Sequence, residues 1–560
     1  MRIDRSSGQL LVGHSRRITV RTIAVAGVVA LAAVTLLDTS GVASPTSNSA
    51  VLTQPTGAGT LRPSGLVNGL AAAARSESSA MDLARARAES QRRPLAGPAR
   101  TTAKVTSVSP SVTSKSVTAP GPNAVSSLQM FRNTTVPTTG ATSSVSEPST
   151  DQSGKNIFQT SNWTSQFSHN NGATWTSLNP FTIFGSGFCC DQVTVHDPGR
   201  NLQLWLVQYG NHLTLATSSA NNLSTWCTYT LTPQALLGRP AGEAFDYNDL
   251  AVGTKFLYLT SNLFGSTGSF TGTAMVRLNL DGLAACAATG FNQTVRTDLF
   301  TLKVAQGTTD VAYAASTNLN AGTGSTLRIL TWPENSTVVT TVNRAIAAFN
   351  FMSPSSGQNC GSPDGVVNNW CQRTDSRILG AARGNGLVRF SFNVRQIGAA
   401  TARPFPYTRI QTFRESDLAL IANQDLFGTT VAHQYMSMAP DRRGHIGYVD
   451  TFGGGVGTTH FFPGAMIGIV DDFAPNFPGS VSFFLFGSGG GCLNSDGRRR
   501  WGDYNTARGG YTGAGQWSAT SWARTTNTNV GCGTPTPISL KNVVFGRSRD
   551  LASYLRFYPF

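Results

Sequence analysis

Five aspartates recur at intervals near 60 residues or, once, about twice that, each at the head of a short apolar run. They are Asp191 in CDQVTV, Asp249 in YNDLAV, Asp310 in TTDVAYAA, Asp375 in RTDSRIL and Asp503 in WGDYNT. A sixth run, HQYMSM, opens at His433, Gln434 and Tyr435 without an acid. Carboxylates gathered in one small volume raise each other's pKa unless a cation or hydrogen bonds intervene. Such a cluster suits a hard cation such as Ca2+. It also suits cleavage of a glycosidic bond, which needs one carboxyl protonated and another ionised. The purely architectural alternative is that each Asp caps a turn or binds backbone amides.

The neighbours of these acids refine the candidates. Arg373 and Arg377 flank Asp375, and in an extended segment all three would point to one face. An arginine there either binds a substrate carboxylate or holds the aspartate. Trp501 and Tyr504 bracket Asp503, which suits sugar binding and equally suits packing. His433 and Tyr435 stand where the sixth run lacks its acid, as a general base or as a packing pair. His445, in RRGHIGY, is expected to face solvent from a turn. The candidate catalytic set is therefore Asp191, Asp249, Asp375, Asp503, Arg377 and Tyr504, with Asp310 less regular. Motifs of serine hydrolases, P-loops and zincins are absent.

These residues need elements that bring them together. Only 13% of the 560 residues are charged, and there are 58 glycines. Short strands rich in Val, Thr and Phe, separated by turns, indicate an all-β chain. Six hairpin units at a period near 60 residues describe a radial repeat, in which the innermost strand of each unit lines a central channel. The expectation is a six-bladed β-propeller over residues 155–560, with its acidic heads on one rim. Ring closure is expected by pairing residues 156–178 with the last blade, around Trp501 to Trp522.

One octapeptide is written twice, SHNNGATW from Ser168 and SANNLSTW from Ser219. It resembles the Asp-box hairpin of the sialidase (BNR-repeat) superfamily, Ser-x-Asp-x-Gly-x-Thr-Trp. Asn170 replaces the acid in the first copy, and Leu223 replaces the glycine in the second. Asn and Asp can both close an Asx-type turn on their own backbone. The resemblance implies a propeller with the box on the outer part of a blade. It does not imply sialidase activity: no Arg-Ile-Pro opening is present, only Asp191 matches the acid by position, and Glu243, Glu334 and Glu415, the only glutamates after residue 155, lie at no strand head.

Arg16, Arg17 and Arg21 precede the apolar run Ile23 to Leu37, followed by small residues at Ser40 to Ser44. Residues 1–44 read as a signal peptide, with SRRITVR resembling a twin-arginine signal and an uncleaved anchor as the alternative. Residues 45–154, rich in Ser, Thr, Ala and Pro, read as a disordered leader, with a marginal helix between Leu70 and Arg93. Eight cysteines fit an exported, disulfide-bonded protein. Cys360–Cys371 and Cys492–Cys532 are the expected local pairs. The adjacent Cys189 and Cys190 are expected to bond elsewhere or stay free.

Residues 1–125 hold 14 Lys/Arg against 5 Asp/Glu, leaving 29 against 23 in the rest. The main body is only mildly basic and lacks the concentrated stripe that nucleic acid would require. Its one tight basic cluster, GRRRW from Gly497 to Trp501, reads as a solvated loop. The expected partner is a glycan or polysaccharide, with the membrane involved only through an uncleaved signal peptide and the chain monomeric. No cofactor is implied beyond the Ca2+ that the acids could hold. Two readings of function follow: an exported glycoside hydrolase or polysaccharide lyase acting through axial carboxylates, or a non-catalytic propeller that binds cell-surface glycan or protein.

Overall fold

A computed structural model describes residues 51–70, 126–138, 142–185, 187–317, 323–354, 358, 360–361, 369–397, 403–456, 459–510 and 515–557. The expected signal peptide and most of the leader, including nearly all of its marginal helix, lie outside the described residues. The chain is a β-propeller of seven blades, not six. Blades 1 to 7 in chain order begin with the strands Ser149–Ser153, Phe188–Asp197, Ala244–Val252, Lys303–Val304, Ile378–Gly384, Ala432–Pro440 and Thr506–Gly509. These are the innermost strands, and each touches the next until Thr506–Gly509 meets Ser149–Ser153 and the ring closes. Within every blade neighbouring strands are antiparallel, and they follow sequence order outward from the axis except for outermost strands that blades 2, 3, 4 and 7 take from earlier in the chain.

The strands read as nearly continuous apolar runs because both faces of a blade are covered. In Leu202–Tyr209 of blade 2 every residue is buried. Leu202, Leu204 and Leu206 pack with Leu250, Leu257 and Leu259 of blade 3. The alternate residues Trp205 and Val207 pack with Phe158 and Phe167 of blade 1. Period-2 geometry thus feeds two separate inter-blade cores from one strand. The same scheme joins blades 3 to 4, 4 to 5, 5 to 6 and 6 to 7.

The seam between blades 7 and 1 is different. There Asn542 donates to Thr150 at 2.9 Å and to Gln159 at 3.0 Å, and Gln159 donates to Thr520 at 2.5 Å. This polar seam explains the missing blade. The strand Ser149–Ser153 is the sequence STDQS, which composition assigns to the leader. Its polar groups are nonetheless buried and satisfied: the Ser149 hydroxyl accepts from Thr194 N at 3.0 Å, and Asp151 accepts from His196 N at 2.7 Å. Residues 156–178 therefore complete a blade of their own rather than closing the last one. Closure is made by Leu128–Val136, which runs antiparallel to Ile538–Arg547 as the outer strand of blade 7.

A second part of the expected leader is also folded. Leu52–Pro55, Gly57–Leu61 and Gly65–Asn68 add fifth strands to the outer edges of blades 4, 3 and 2 in turn. Most residues of this strap are exposed, and its main-chain bonds cover three blade edges. Gly59 lies across the Phe291 ring, which a Cβ would meet at 2.5 Å.

Both octapeptides join the third and fourth strands of their blades, in blade 1 between Thr164–Ser168 and Thr176–Leu178 and in blade 2 between Leu213–Ser219 and Thr225–Leu231. In the first, Asn170 accepts from Thr174 N at 2.8 Å and the Ser168 hydroxyl accepts from Gly172 N at 2.8 Å. Gly172 and Leu223 both adopt positive φ, 78° and 54°. The second copy therefore holds a non-glycine residue in a conformation that favours glycine.

Four disulfides form. Cys360–Cys371 and Cys492–Cys532 pair as expected, and Cys227–Cys286 ties blade 2 to blade 3. Cys189 and Cys190 bond to each other, contrary to expectation. The two are successive residues at the start of the innermost strand of blade 2, with Cα atoms 3.7 Å apart, below the usual separation of bonded cysteines, the ground for expecting no bond between them.

Candidate functional site

All seven innermost strands run the same way along the axis, so residues just before or early in them collect at one mouth of the channel. Asp191, Asp375, Asp503 and Tyr504 hold such positions, as does Arg377 immediately before Ile378–Gly384, and Asp249, beyond the bulge of Ala244–Val252, meets Lys303 at the start of the next innermost strand. All six are buried.

The acids are joined through cations. The Arg377 guanidinium binds Asp375 in a two-point fork at 2.6 and 2.5 Å and reaches Asp503 at 3.6 Å. Arg500 lies 3.2 Å from Asp503 and 2.8 Å from Glu147. The chain Asp375–Arg377–Asp503–Arg500–Glu147 thus links blades 5, 7 and 1. Lys303, the first residue of the innermost strand of blade 4, binds Asp249 Oδ1 at 2.9 Å. Burial pushes the Lys303 ammonium down in pKa, and Asp249 offsets part of that shift. Asp249 Oδ2 is buried and has no hydrogen-bond partner among the described residues.

Tyrosines line the same volume. Tyr247 lies under Arg377, whose guanidinium carbon is 4.4 Å from the ring centroid, and edge-on to Tyr504 at 6.2 Å. Both hydroxyls are buried without a hydrogen-bond partner among the described residues. Burial drives both phenols well above their usual pKa, and the carboxylates around them add to the rise. Asp191 is the first of the charges acting on Tyr504. These groups are therefore hydrogen-bond donors at neutral pH and not bases.

Tyr247 and Tyr435 share a local device. Each occupies positive φ, 55° and 61°, and each sits at a register shift in its innermost strand, between Asp246 and Asp249 and between Gln434 and Ser437. A bulge of this kind re-aims a side chain, and strained φ in a bulky residue persists only where the surroundings enforce it. Tyr435 bonds the Thr374 hydroxyl at 2.6 Å and packs 5.3 Å from Trp501, which stacks on Trp522 at 4.8 Å. His433 is buried beside Asp450, 2.9 Å away. Burial raises the Asp450 pKa, and His433 offsets part of it.

Several expected placements differ. Asp310 lies at the other mouth, because the innermost strand of blade 4 is Lys303–Val304 and Asp310 follows it in the turn to Val311–Ser316. It is largely exposed and pairs with Arg383 at 3.0 Å. Arg373 does not share a face with Asp375: residues 371–377 form turns and irregular backbone, and Arg373 pairs with Asp496. GRRRW is not a solvated loop, since Arg499 and Arg500 are buried, with Arg499 bound to Asn529 at 2.6 Å. His445 is buried between Asp441 and Asp472, 3.7 and 3.3 Å away. For the Ca2+ that the acids could hold, no three acidic, His or Cys side chains among the described residues converge. The rim acids are matched by arginine and lysine instead.

Four residues of the cluster were not candidates from sequence: Glu147, Tyr247, Lys303 and Arg500. Tyr247 precedes Asp249 by two residues, as Tyr435 precedes Ser437, and that shared position was a readable signal. Glu147 was hidden in the leader and Lys303 in a strand of two residues.

No protein-family model matches the sequence, and no curated protein matches it. Solved structures with a similar ring include an alpha-L-arabinanase of Penicillium chrysogenum complexed with arabinobiose, 10% identical over 63% of this chain and 92% of that one, with a TM-score of 0.29. An ulvan lyase of polysaccharide lyase family PL25, bound to -[GlcA(1-4)Rha3S]-, is 6% identical over 64% and 94%, with a TM-score of 0.31. The WD40 domain of SCAP from fission yeast is 8% identical over 74% and 97%, with a TM-score of 0.34. Enzymes and a WD40 domain stand side by side at these low scores, so the likenesses carry no argument about what this chain binds.

Proposed function

We propose that the protein is exported and binds a glycan at the acidic mouth of its channel, where it acts as a hydrolase of glycosidic bonds on a sialidase-like (BNR) scaffold. The observation that carries this reading is the group of buried polar atoms without partners, the hydroxyls of Tyr247 and Tyr504 and Asp249 Oδ2, beside an ion-paired chain of carboxylates. Each buried, unsatisfied polar group costs about 1–3 kcal/mol. A ligand rich in hydroxyls would satisfy all three. The two phenols would donate to sugar oxygens. Asp249, held on one oxygen by Lys303, would give or take a proton through the other. Asp375 and Asp503, engaged by Arg377, would supply negative charge to an oxocarbenium-like transition state.

A lyase is less well served. It needs a cation free to neutralise a uronate, whereas Arg377, Arg500 and Lys303 are already committed to carboxylates. Those same ion pairs favour the second reading, a non-catalytic glycan-binding ring in which the cluster is architecture. For export, four disulfides fit an oxidising compartment, and no described helix is long and apolar enough to cross a membrane.

The test is a polysaccharide panel assayed for new reducing ends and for unsaturated products, with the native chain, Asp249→Asn and Asp503→Asn. Hydrolysis of at least one glycan, lost in Asp249→Asn assayed where that variant is still folded despite the broken pair with Lys303, is the expected result. Unsaturated products would replace hydrolase by lyase. Binding without turnover would leave the non-catalytic ring, and no binding at all would remove the glycan reading.

A further inference from the structure

The innermost strands of blades 4 to 7 end around a cavity of about 500 Å3. This lies within the roughly 300–1,000 Å3 of typical ligand sites. Its walls are the turns Gln306–Thr309, Arg383–Gly386, Ala439–Gly444 and Arg508–Gly510, together with Glu415. Four arginines line it, Arg383, Arg442, Arg443 and Arg508, against two carboxylates, Glu415 and Asp441.

Most of these charges are already used. Arg383 is taken by Glu415 and Asp310. Arg443 lies 3.4 Å from Asp550. Asp441 turns away into its own loop, accepting from the backbone N–H groups of Arg443 and His445 at 2.9 Å and of Gly515 at 2.7 Å. Two guanidiniums remain. Arg442 is exposed at the rim and makes no ion pair with a described residue. Arg508 is buried at the floor and donates to the carbonyls of Thr194 at 3.0 Å and Ala507 at 3.3 Å. Its nearest paired carboxylate, Asp151, is 3.7 Å away. A guanidinium carries five N–H donors in a fixed fork, so acceptors among the described residues leave part of this one unused.

We infer that this second mouth binds an anionic saccharide, a sugar carrying a sulfate or phosphate monoester. The ester oxygens would be held between Arg442 and Arg508, and the sugar body would fill the cavity. Guanidinium forks match tetrahedral oxyanions, and such charge-assisted bonds are about twice as strong as neutral ones. The volume exceeds what a bare ion needs, which is why the ligand is a sugar ester. The inference does not depend on the acidic mouth being catalytic, because no residue is shared between the two.

The test is calorimetric titration of the full chain with galactose 6-sulfate, glucose 6-phosphate, inorganic sulfate, inorganic phosphate and galactose. Binding of one ester is expected, weakening as salt is raised and about tenfold weaker in Arg442→Ser. Arg414→Ser, a charge-matched change at an exposed pair with Asp417, should bind like the native chain. The sulfate and phosphate arms tell the two esters apart. The inference falls if neither ester binds, if galactose binds as well as its ester, or if Arg414→Ser loses as much as Arg442→Ser. Bare ions binding as tightly as the esters would overturn the saccharide. Arg508→Lys, if it folds, should also weaken the ester; Arg442→Ser decides the matter without it, since Arg442 is exposed and holds nothing in place.

Discussion

At the mouth where the innermost strands begin, Asp191, Asp249, Asp375 and Asp503 share a buried volume with Lys303, Arg377, Arg500 and two unpartnered tyrosine hydroxyls. At the mouth where those of blades 4 to 7 end, arginines surround a cavity and the nearby acids are consumed by neighbouring arginines or backbone amides. The same strands build both. Because all innermost strands run in one direction, a residue's place relative to its strand decides which mouth it serves. The segment before the strand supplies one rim, and the hairpin turn after it supplies the other. Asp310 illustrates the rule: it follows Lys303–Val304 and so joins the arginines. Burial is the second difference. At the first mouth Asp249, Asp375 and Asp503 are locked in ion pairs, whereas Arg442 at the second is exposed.

That difference is testable in stability. Arg377→Met should be the most damaging single change, because it leaves Asp375 and Asp503 buried without their shared cation. Breaking a buried pair typically costs about 3–5 kcal/mol. Arg442→Ser should stay within about 0.5 kcal/mol, as for surface changes generally. Urea unfolding of the two variants checks this, and equal effects would erase the contrast.

Acid should act next, and at the second mouth. His196, near the end of the innermost strand of blade 2, is buried, and desolvation lowers its pKa from 6.5 to about 4. Asn201 and Asp197 oppose that shift in part. The unfolded chain takes up a proton near pH 6.5, while the folded one resists until about pH 4. Stability contributed by neutral His196 is therefore whole above pH 6.5 and is lost as pH falls across that window, by about 3 kcal/mol in all. His196→Gln should flatten this part of the pH–stability curve. The backbone N–H of His196 bonds Asp151, which lies 3.7 Å from Arg508, so the acid loss is expected beside the arginines.

Much of the architecture was legible because blade periodicity is written in apolar runs. The heads at Asp191, Asp249, Asp375, Tyr435 and Asp503 all belong to separate blades. The seventh blade was not legible, since STDQS and NIFQTS join a seam built from hydroxyls and amides rather than from hydrophobic residues. The same rule of composition concealed Glu147 and the strap over residues 52–68. The strap pairs through main-chain bonds that do not depend on its side chains. GRRRW misled for the opposite reason. A charge run usually faces water, but here Arg500 is matched by Glu147 and Asp503, two acids distant from or next to it in sequence. The pairing of Cys189 with Cys190 was not legible because the usual Cα separation of bonded cysteines argues against neighbours.

The account's central claim is that the unpartnered hydroxyls at the first mouth face a glycan. Tyr247→Phe removes one of them without touching an ion pair or a hydrogen bond among the described residues. Its unfolding free energy should be no lower than that of the native chain and higher by up to about 1–3 kcal/mol, since an unsatisfied buried hydroxyl is removed. Calorimetric titration with whichever oligosaccharide the panel identifies should then show affinity reduced by about tenfold, the worth of one hydrogen bond to a buried donor. Undiminished affinity in a Tyr247→Phe variant at least as stable as the native chain would contradict the claim.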